Sequence, residues 1–503
     1  MLDEHSRNVS VSRMRIRSLP TMACAALAAM AITGCSKRQP EAVNVVVIGA
    51  QQPRISDPFD GPLSAPHQIA MESMAQGLVR FDQRGEIVPG LAERWNVSDD
   101  GLSYIFRLGP GKWPGGREVR ASDVARALSR QLRSSSRNEL KETMGAVEDV
   151  VAMTDRVIEI RLVAPRPHLL QLLAQPEFGV LREGRGTGPF IVDADQPDRD
   201  WKALTYHKSV VDGPDIRERA RIRTASAKQA VALFVSDEAG LVLGGTFNDL
   251  PFARQTKSGR NALHFDPVAG LFGLLPLRTS GPLANAEARR LLSRAIDRQA
   301  LVATFDVPGL TPRNTLLQAG GDGLAPVTES PAAQPDLATL RAAMQAEAES
   351  LFDADMPAIR VRFPEGPGAQ ALLQRLRLDW GNLGLKVEAV GQGDGADFAL
   401  VDRVAPTGSP AWFVRRFRCP EVAICVKEAD TLMDSARLAT VAAQRLAFLA
   451  EAARLLEEEV AFIPIAAPIR WSLVGNGLPG FTENIVGRHP LVGLGTAPSR
   501  EGN

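Results

Sequence analysis

Tyrosine is nearly missing from this chain: two of 503 residues, and with six Trp and 19 Phe the aromatics reach only 5%. A broad stacking face for sugars or bases is hard to build from so few rings. Net charge is missing too. Lys plus Arg and Asp plus Glu both number 58, so no overall field draws the chain to nucleic acid or an anionic membrane. No basic, aromatic-studded stretch argues otherwise, and no nucleic-acid partner is expected. The six histidines (His5, His67, His168, His207, His264, His489) lie far apart, and no pair has metal-ligand spacing. No Gly-x-Ser-x-Gly elbow, His-Glu-x-x-His helix or Walker loop occurs. The expectation is a chain that is not an enzyme and holds no metal or cofactor.

Long apolar runs are also absent. The strongest, residues 22–32, has eleven residues, too few to cross a bilayer, where about 20 are needed. Behind Arg13, Arg15 and Arg17 it suits the core of an export signal. It ends in Ile32-Thr33-Gly34-Cys35, which resembles a bacterial lipobox, in which the thiol takes lipid and the chain is cut before the cysteine. Residues 1–34 are therefore expected to be a signal peptide, Cys35 the lipid anchor and 35–42 a tether. Translation starts at Met1 or at Met14, which opens a signal of its own. The expected place is the cell envelope or periplasmic space, outside the cytoplasm.

Of the four cysteines, Cys24 leaves with the signal and Cys35 carries lipid. Cys419 and Cys425 remain, six apart. A disulfide suits an oxidising envelope; two free buried thiols or half of a metal site are the alternatives.

Along the rest of the chain, strand and helix patterns alternate. Residues 43–48 are a β-branched run, and 103–108 and 157–162 alternate as half-buried strands do. Helical spacing predicts helices over 68–79, 122–132, 285–303, 336–352, 368–383 and 436–459, with strands at 357–363, 385–390 and 461–465 between and after the later ones. This alternation favours an α/β architecture. Gly186 and Gly188 are expected to set backbone turns, and Asp297 and Arg298 to form a surface ion pair.

Several stretches resemble one family. They include Ser56-Asp57-Pro58, Met74-Ala75-Gln76-Gly77-Leu78-Val79 and Ile87-Val88-Pro89-Gly90-Leu91-Ala92-Glu93-Arg94-Trp95. Ser98-Asp99-Asp100-Gly101-Leu102-Ser103-Tyr104-Ile105-Phe106-Arg107-Leu108 follows, then Lys112-Trp113 and Ala121-Ser122-Asp123-Val124. Further on come Gly186-Thr187-Gly188-Pro189-Phe190, the helix from Ala288 to Arg298, and Phe462-Ile463-Pro464. In this order they resemble the extracytoplasmic solute-binding proteins of family 5, which serve dipeptide and oligopeptide ABC importers.

The resemblance implies an α/β, two-lobed periplasmic-binding-protein type II fold of the large cluster, with an extra subdomain and a hinge crossed twice. On that plan 43–268 form lobe I with an insertion at about 59–175, 269–468 form lobe II, and 469–503 return to lobe I. It also implies capture of a peptide-like solute between the lobes, delivery to ABC permease subunits, and a monomer. A sensory lipoprotein on the same fold is the alternative partner reading.

The family's peptide binders carry Gly-Trp-x-Ala-Asp-Tyr-x-x-Pro at the ligand, where the Asp takes the peptide amine. In this chain the matching stretch is Asp402-Arg403-Val404-Ala405-Pro406-Thr407-Gly408-Ser409-Pro410, before Phe413-Val414. Arg403 stands for the Trp and Pro406 for the Asp. The ligand then either places its amine elsewhere, with Asp402 the nearest carboxylate, or has no free amine. Arg403 either grips an anion or points to solvent. Trp412 and Trp471 line the cleft or belong to the core.

Overall fold

The structure, a computed structural model, describes residues 42–193, 200–208, 216–255, 261–317, 337–353, 356, 358–393 and 395–494. The expected signal peptide 1–34, Cys35 and the expected tether, as far as residue 41, lie outside the described residues.

Two large sheets organise the chain. The first has seven strands in the order Leu263–Asp266, Arg470–Val474, Leu241–Thr246, Val43–Ile48, Ile216–Ala225, Lys202–Lys208, Phe190–Val192. Val43–Ile48 sits centrally and pairs in parallel with neighbours on both sides, Val45 opposite Ile222 and Leu241. That position accounts for its composition, because a parallel strand covered on both faces needs a continuous β-branched run; Val45, Val46 and Val47 have no exposed surface. The helix Ala227–Val235 links the two flanking parallel strands, and Ser226 and Gln229 close a capping box at its start.

The second sheet runs Val387–Val390, Ile359–Arg362, Phe398–Val404, Gly270–Pro276, Ile463–Ala466. The chain leaves the first sheet after Asp266 and joins the second at Gly270; it leaves the second after Ala466 and rejoins the first at Arg470. The result is two α/β lobes connected by two short crossings that lie next to each other. Phe247 follows the first sheet's Leu241–Thr246 strand, and it meets Phe272 of the second sheet at 4.9 Å and Phe305 at 6.0 Å. Apolar packing therefore continues through the junction.

A four-stranded antiparallel sheet, Ala92–Val97, Ser103–Leu108, Val157–Leu162 and Val147–Thr154, is built within the segment between the first two strands of the large sheet. Tyr104, Phe106 and Leu108 point to its buried face, which Val124 and Leu128 of the helix Ala121–Gln131 help to cover. Among the described residues no helix is long and apolar enough to cross a membrane.

Five sequence expectations change. The helix expected over 68–79 is Ala65–Met74, where Ala75 turns extended, and Val79 opens the strand Val79–Phe81. The helix expected over 285–303 is two helices, Ala286–Ala295 and Arg298–Phe305, because Asp297 caps the second by accepting from the Ala300 N–H at 2.9 Å. Asp297 and Arg298 are thus no surface ion pair. Arg298 is buried, and its guanidinium donates to the carbonyls of Pro464 and Ser293 at 2.8 and 2.7 Å. The span 436–459 likewise divides between Lys427–Leu438 and Ala442–Glu458. Gly186 and Gly188 serve close approach, with negative φ: a Cβ on either would stand 2.3–2.6 Å from atoms of Met74 and Ala75, including their backbone.

Candidate ligand-binding cleft

The cleft is assembled from short pieces far apart in sequence. Asn138 is buried, and its amide holds two of them together. Its Oδ1 accepts from the Leu140 N–H at 3.0 Å, while Nδ2 donates to the Glu177 carbonyl at 2.7 Å. Glu139 and Glu177 are thereby fixed on one wall. Opposite them, the strand Phe398–Val404 carries Asp402 and Arg403 next to its C-terminal end. The next turn leads into the helix Pro410–Arg415, which carries Trp412. Arg470 opens the returning strand, and Arg488 and His489 come from the C-terminal segment. Together these groups line a cavity of about 510 Å³, within the usual range for a small-solute site.

Most of its charges are already paired across the chain. Asp402 accepts from Arg470 Nη1 through both oxygens, at 2.9 and 3.1 Å. Arg403 Nη1 reaches Glu139 Oε2 at 2.6 Å, and this pair joins the two lobes. Pro406 also bridges them, its carbonyl accepting from Gln175 Nε2 at 2.9 Å. Arg488 lies between two buried carboxylates, 3.5 Å from Glu72 Oε1 and 3.9 Å from Glu177 Oε2. His489 Nε2 meets Asp266 Oδ2 at 2.9 Å.

Glu177 and Trp412 of the cavity lining keep unused capacity, and Glu72 lies just outside it. Glu177 is 2% exposed, and its Oε1 accepts from Gln68 at 3.1 Å while its Oε2 has no hydrogen-bond partner. Burial pushes the Glu177 carboxyl above the ordinary range, with Arg488 opposing. Burial raises Glu72 as well; Arg488 lowers it and Glu177 adds to the rise. On the facing wall Trp412 is buried with its indole N–H donating to nothing. Arg416 lies over that indole, 5.1 Å from the ring centroid. Burial, then the neighbouring Arg403, lowers the Arg416 pKa.

Of the residues singled out from sequence, the structure brings Asp402, Arg403 and Trp412 to this cavity. Trp471 lies outside it. Its side chain is 1% exposed, and its indole N–H donates to the Thr246 carbonyl at 2.8 Å. The ring packs on Gly245, where a Cβ would stand 2.2 Å from it. Cys419 and Cys425 are joined by a disulfide in the loop before the helix Lys427–Leu438, away from the cavity lining. Sequence reasoning missed Glu139, Glu177, Arg470, Arg488 and His489. No local pattern marks them, since each enters the wall through tertiary packing. Among the described residues no group of three His, Cys, Asp or Glu could hold a metal ion.

Two α/β lobes, two adjacent crossings and a charged cavity between them define a two-lobed solute-binding protein. The chain belongs to the bacterial extracellular solute-binding proteins, family 5, whose middle region matches residues 86–412. It is similar to the di/tripeptide-binding protein 1 of Pseudomonas aeruginosa, 24% identical over 497 residues, covering 84% of this chain and 89% of that protein. To the dipeptide-binding protein of Escherichia coli it is 25% identical over 347 residues, 61% of this chain and 63% of that relative, under two thirds of its length. The fold resembles that of the Escherichia coli murein tripeptide-binding protein, with a TM-score of 0.74 and 17% identity over 89% of this chain and 97% of that one. It also resembles Haemophilus influenzae OppA in complex with RPPGFSPFR, with a TM-score of 0.72, 17% identity, and coverage of 89% and 98%. Family members bind solutes for transport rather than turn them over.

Proposed function

We propose that this chain is the substrate-binding component of an ABC importer, enclosing a peptide or peptide-like solute between its lobes and presenting it to the membrane permease. The observation that carries this reading is the cavity of about 510 Å³, whose wall is contributed by both large sheets, the small-sheet segment and the returning strand. A solute there touches both lobes and so favours closure by its differential contacts. The peptide-binding relatives support the choice of solute class.

Lobe I spans 43–268 and 469–503, with an inserted subdomain at about 59–175; lobe II spans 269–468, and the hinge lies where the chain changes sheets. Asp402, Arg403 and Trp412 serve as ligand groups from lobe II. Asp402 is shared with Arg470, so an ammonium there would compete with a guanidinium already seated. That pairing favours, as a second reading, a solute without a free amine at this loop. Export by residues 1–34 and lipid anchoring at Cys35 place the monomeric protein at the membrane surface in the envelope.

Native mass spectrometry of the purified protein, followed by identification of what co-purifies, tests the solute class. Captured peptides are the expected result; a non-peptide solute, with no affinity for di- and tripeptides by calorimetry, would overturn it. Cys35→Ala should abolish incorporation of labelled palmitate, and unchanged incorporation would remove the anchor.

A further inference from the structure

A second cavity lies behind the loop that bounds the first. It measures about 240 Å³, and Thr407, Ser409, Pro410 and Ala411 form part of its wall, while Ala405, Pro406 and Trp412 face the cleft. The loop is thus a partition between two chambers. The second lobe gives this chamber Ser409, Arg415 and Arg437; the small-sheet segment gives it Thr143 and Arg166. None of the described residues lining it is Asp or Glu.

Four guanidinium groups, those of Arg166, Arg415, Arg437 and Arg445, gather here. Arg166 Nη2 donates to the Arg437 carbonyl at 2.6 Å, and Arg415 Nη1 donates to the Glu142 carbonyl at 2.6 Å. Arg415 and Arg437 converge on Gly145, where a Cβ would lie 3.5 Å from Arg415 Nη1 and 3.7 Å from Arg437 Cδ. The Nε–H groups of Arg415 and Arg437 are buried and donate to nothing. Two carboxylates outside the lining act on Arg415, Glu142 more than Asp434; Asp434 is 4.0 Å from Arg437 Nε but already accepts from both Nη atoms of Arg418 at 3.0 Å. Burial, then the positive charges of Arg445, Arg415 and Arg437, lowers the Arg166 pKa to about 10. Like charges gathered in a half-buried site oppose closure of the lobes unless a counter-charge enters. An oxyanion, with an acceptor on each oxygen, is the geometric complement of forked N–H donors.

We propose that this chamber is an oxyanion site joining the two lobes, occupied either by a free phosphate-like ion or by the acidic end of the solute held in the adjoining cleft. The first source is independent of the peptide reading above; the second rests on it.

Calorimetric titration of the full chain with inorganic phosphate is the test, because this probe needs no peptide. One ion per chain is expected, bound more weakly as salt rises. Arg415→Gln and Arg437→Gln should each weaken it by about tenfold or more, while Arg107→Gln, an exposed arginine on the small sheet, should leave it unchanged. Ser409→Asp guards against misfolding as the cause of loss. Ser409 is the N-cap of Pro410–Arg415 without a side-chain capping bond, and Asp is favoured there. Its carboxylate should take the place of the ion, abolishing phosphate binding while the thermal midpoint holds or rises. Absence of phosphate binding by the parent chain, or equal binding by all these variants, overturns the proposal. Repeating the titration with the dipeptide Ala-Asp separates the sources. Competition that Arg415→Gln removes assigns the chamber to the solute's acidic end; undisturbed phosphate binding makes the ion a separate occupant. A chain that binds phosphate and no dipeptide keeps the chamber and removes the peptide reading.

Discussion

Arg403 and Glu139, 264 positions apart in sequence, meet at 2.6 Å across the cleft, one on the second sheet and the other in the small-sheet segment. With the Arg403 side chain 50% exposed, the pair is worth at most about 1 kcal/mol. It therefore acts on the angle between lobes more than on the fold. Arg403→Ala and Glu139→Gln should each leave the thermal midpoint within a few degrees of the parent while small-angle scattering of the ligand-free protein shows a larger radius of gyration. Unchanged scattering from both would mean that the pair does not hold the cleft.

Trp471 is expected to behave as a structural residue. Trp471→Ala should cost about 3–5 kcal/mol in denaturant unfolding, since a fully buried ring would leave a void against Gly245. Trp471→Phe should cost about 1–3 kcal/mol, because the Thr246 carbonyl loses its donor. A ligand affinity lost in Trp471→Phe without loss of stability would return this side chain to the binding surface.

Glu72 and Glu177 make stability depend on pH in a definite direction. Burial raises both carboxyls above the ordinary 4.5, so between that value and their folded-state values the folded chain binds more protons than the unfolded one. Their contribution is fully present below 4.5 and is lost as pH rises through the folded values. Glu72→Gln should flatten this decline and raise the midpoint at pH 7, with Glu177 still beside Arg488. A thermal melt series from pH 4 to 8 checks the slope, and a steeper decline in the variant would contradict it.

The disulfide closes a loop with a sequence separation of six. Cys419→Ser with Cys425→Ser should destabilise the second lobe by about 2 kcal/mol on a loop-entropy basis. Alkylation mass shifts with and without reductant should differ by two thiols.

The sequence patterns that were legible are those in which local and tertiary demands agree. Val43–Ile48 reads as buried because it is covered on both faces, and Ser103–Leu108 alternates because one face packs on a helix. The breaks at Ile296–Asp297 and 439–441 were not legible, because apolar periodicity runs straight through both. What ends the first helix is a cap at Asp297, with Arg298 anchored to Pro464, 166 positions away. The loop at 402–410 could be singled out through the resemblance, yet its electrostatics could not. Asp402 looks like a free carboxylate until the returning strand delivers Arg470, and Pro406 looks inert until Gln175 takes its carbonyl. A site made by convergence of distant segments leaves no local signature at positions such as Glu139 and Glu177.

Arg470 is the first residue of the strand that carries the chain back into the seven-stranded sheet, and it is also the partner of Asp402 in the wall. On the proposed function, the same guanidinium is both a component of the recognition surface and the end of a tendon between lobes. A solute that loosens its grip on Asp402 changes the tension on that tendon directly, with no relay through the interior. Selectivity and the rate of opening are then coupled: a substitution at Asp402 that alters which solute is held will also alter how long the lobes stay shut around it.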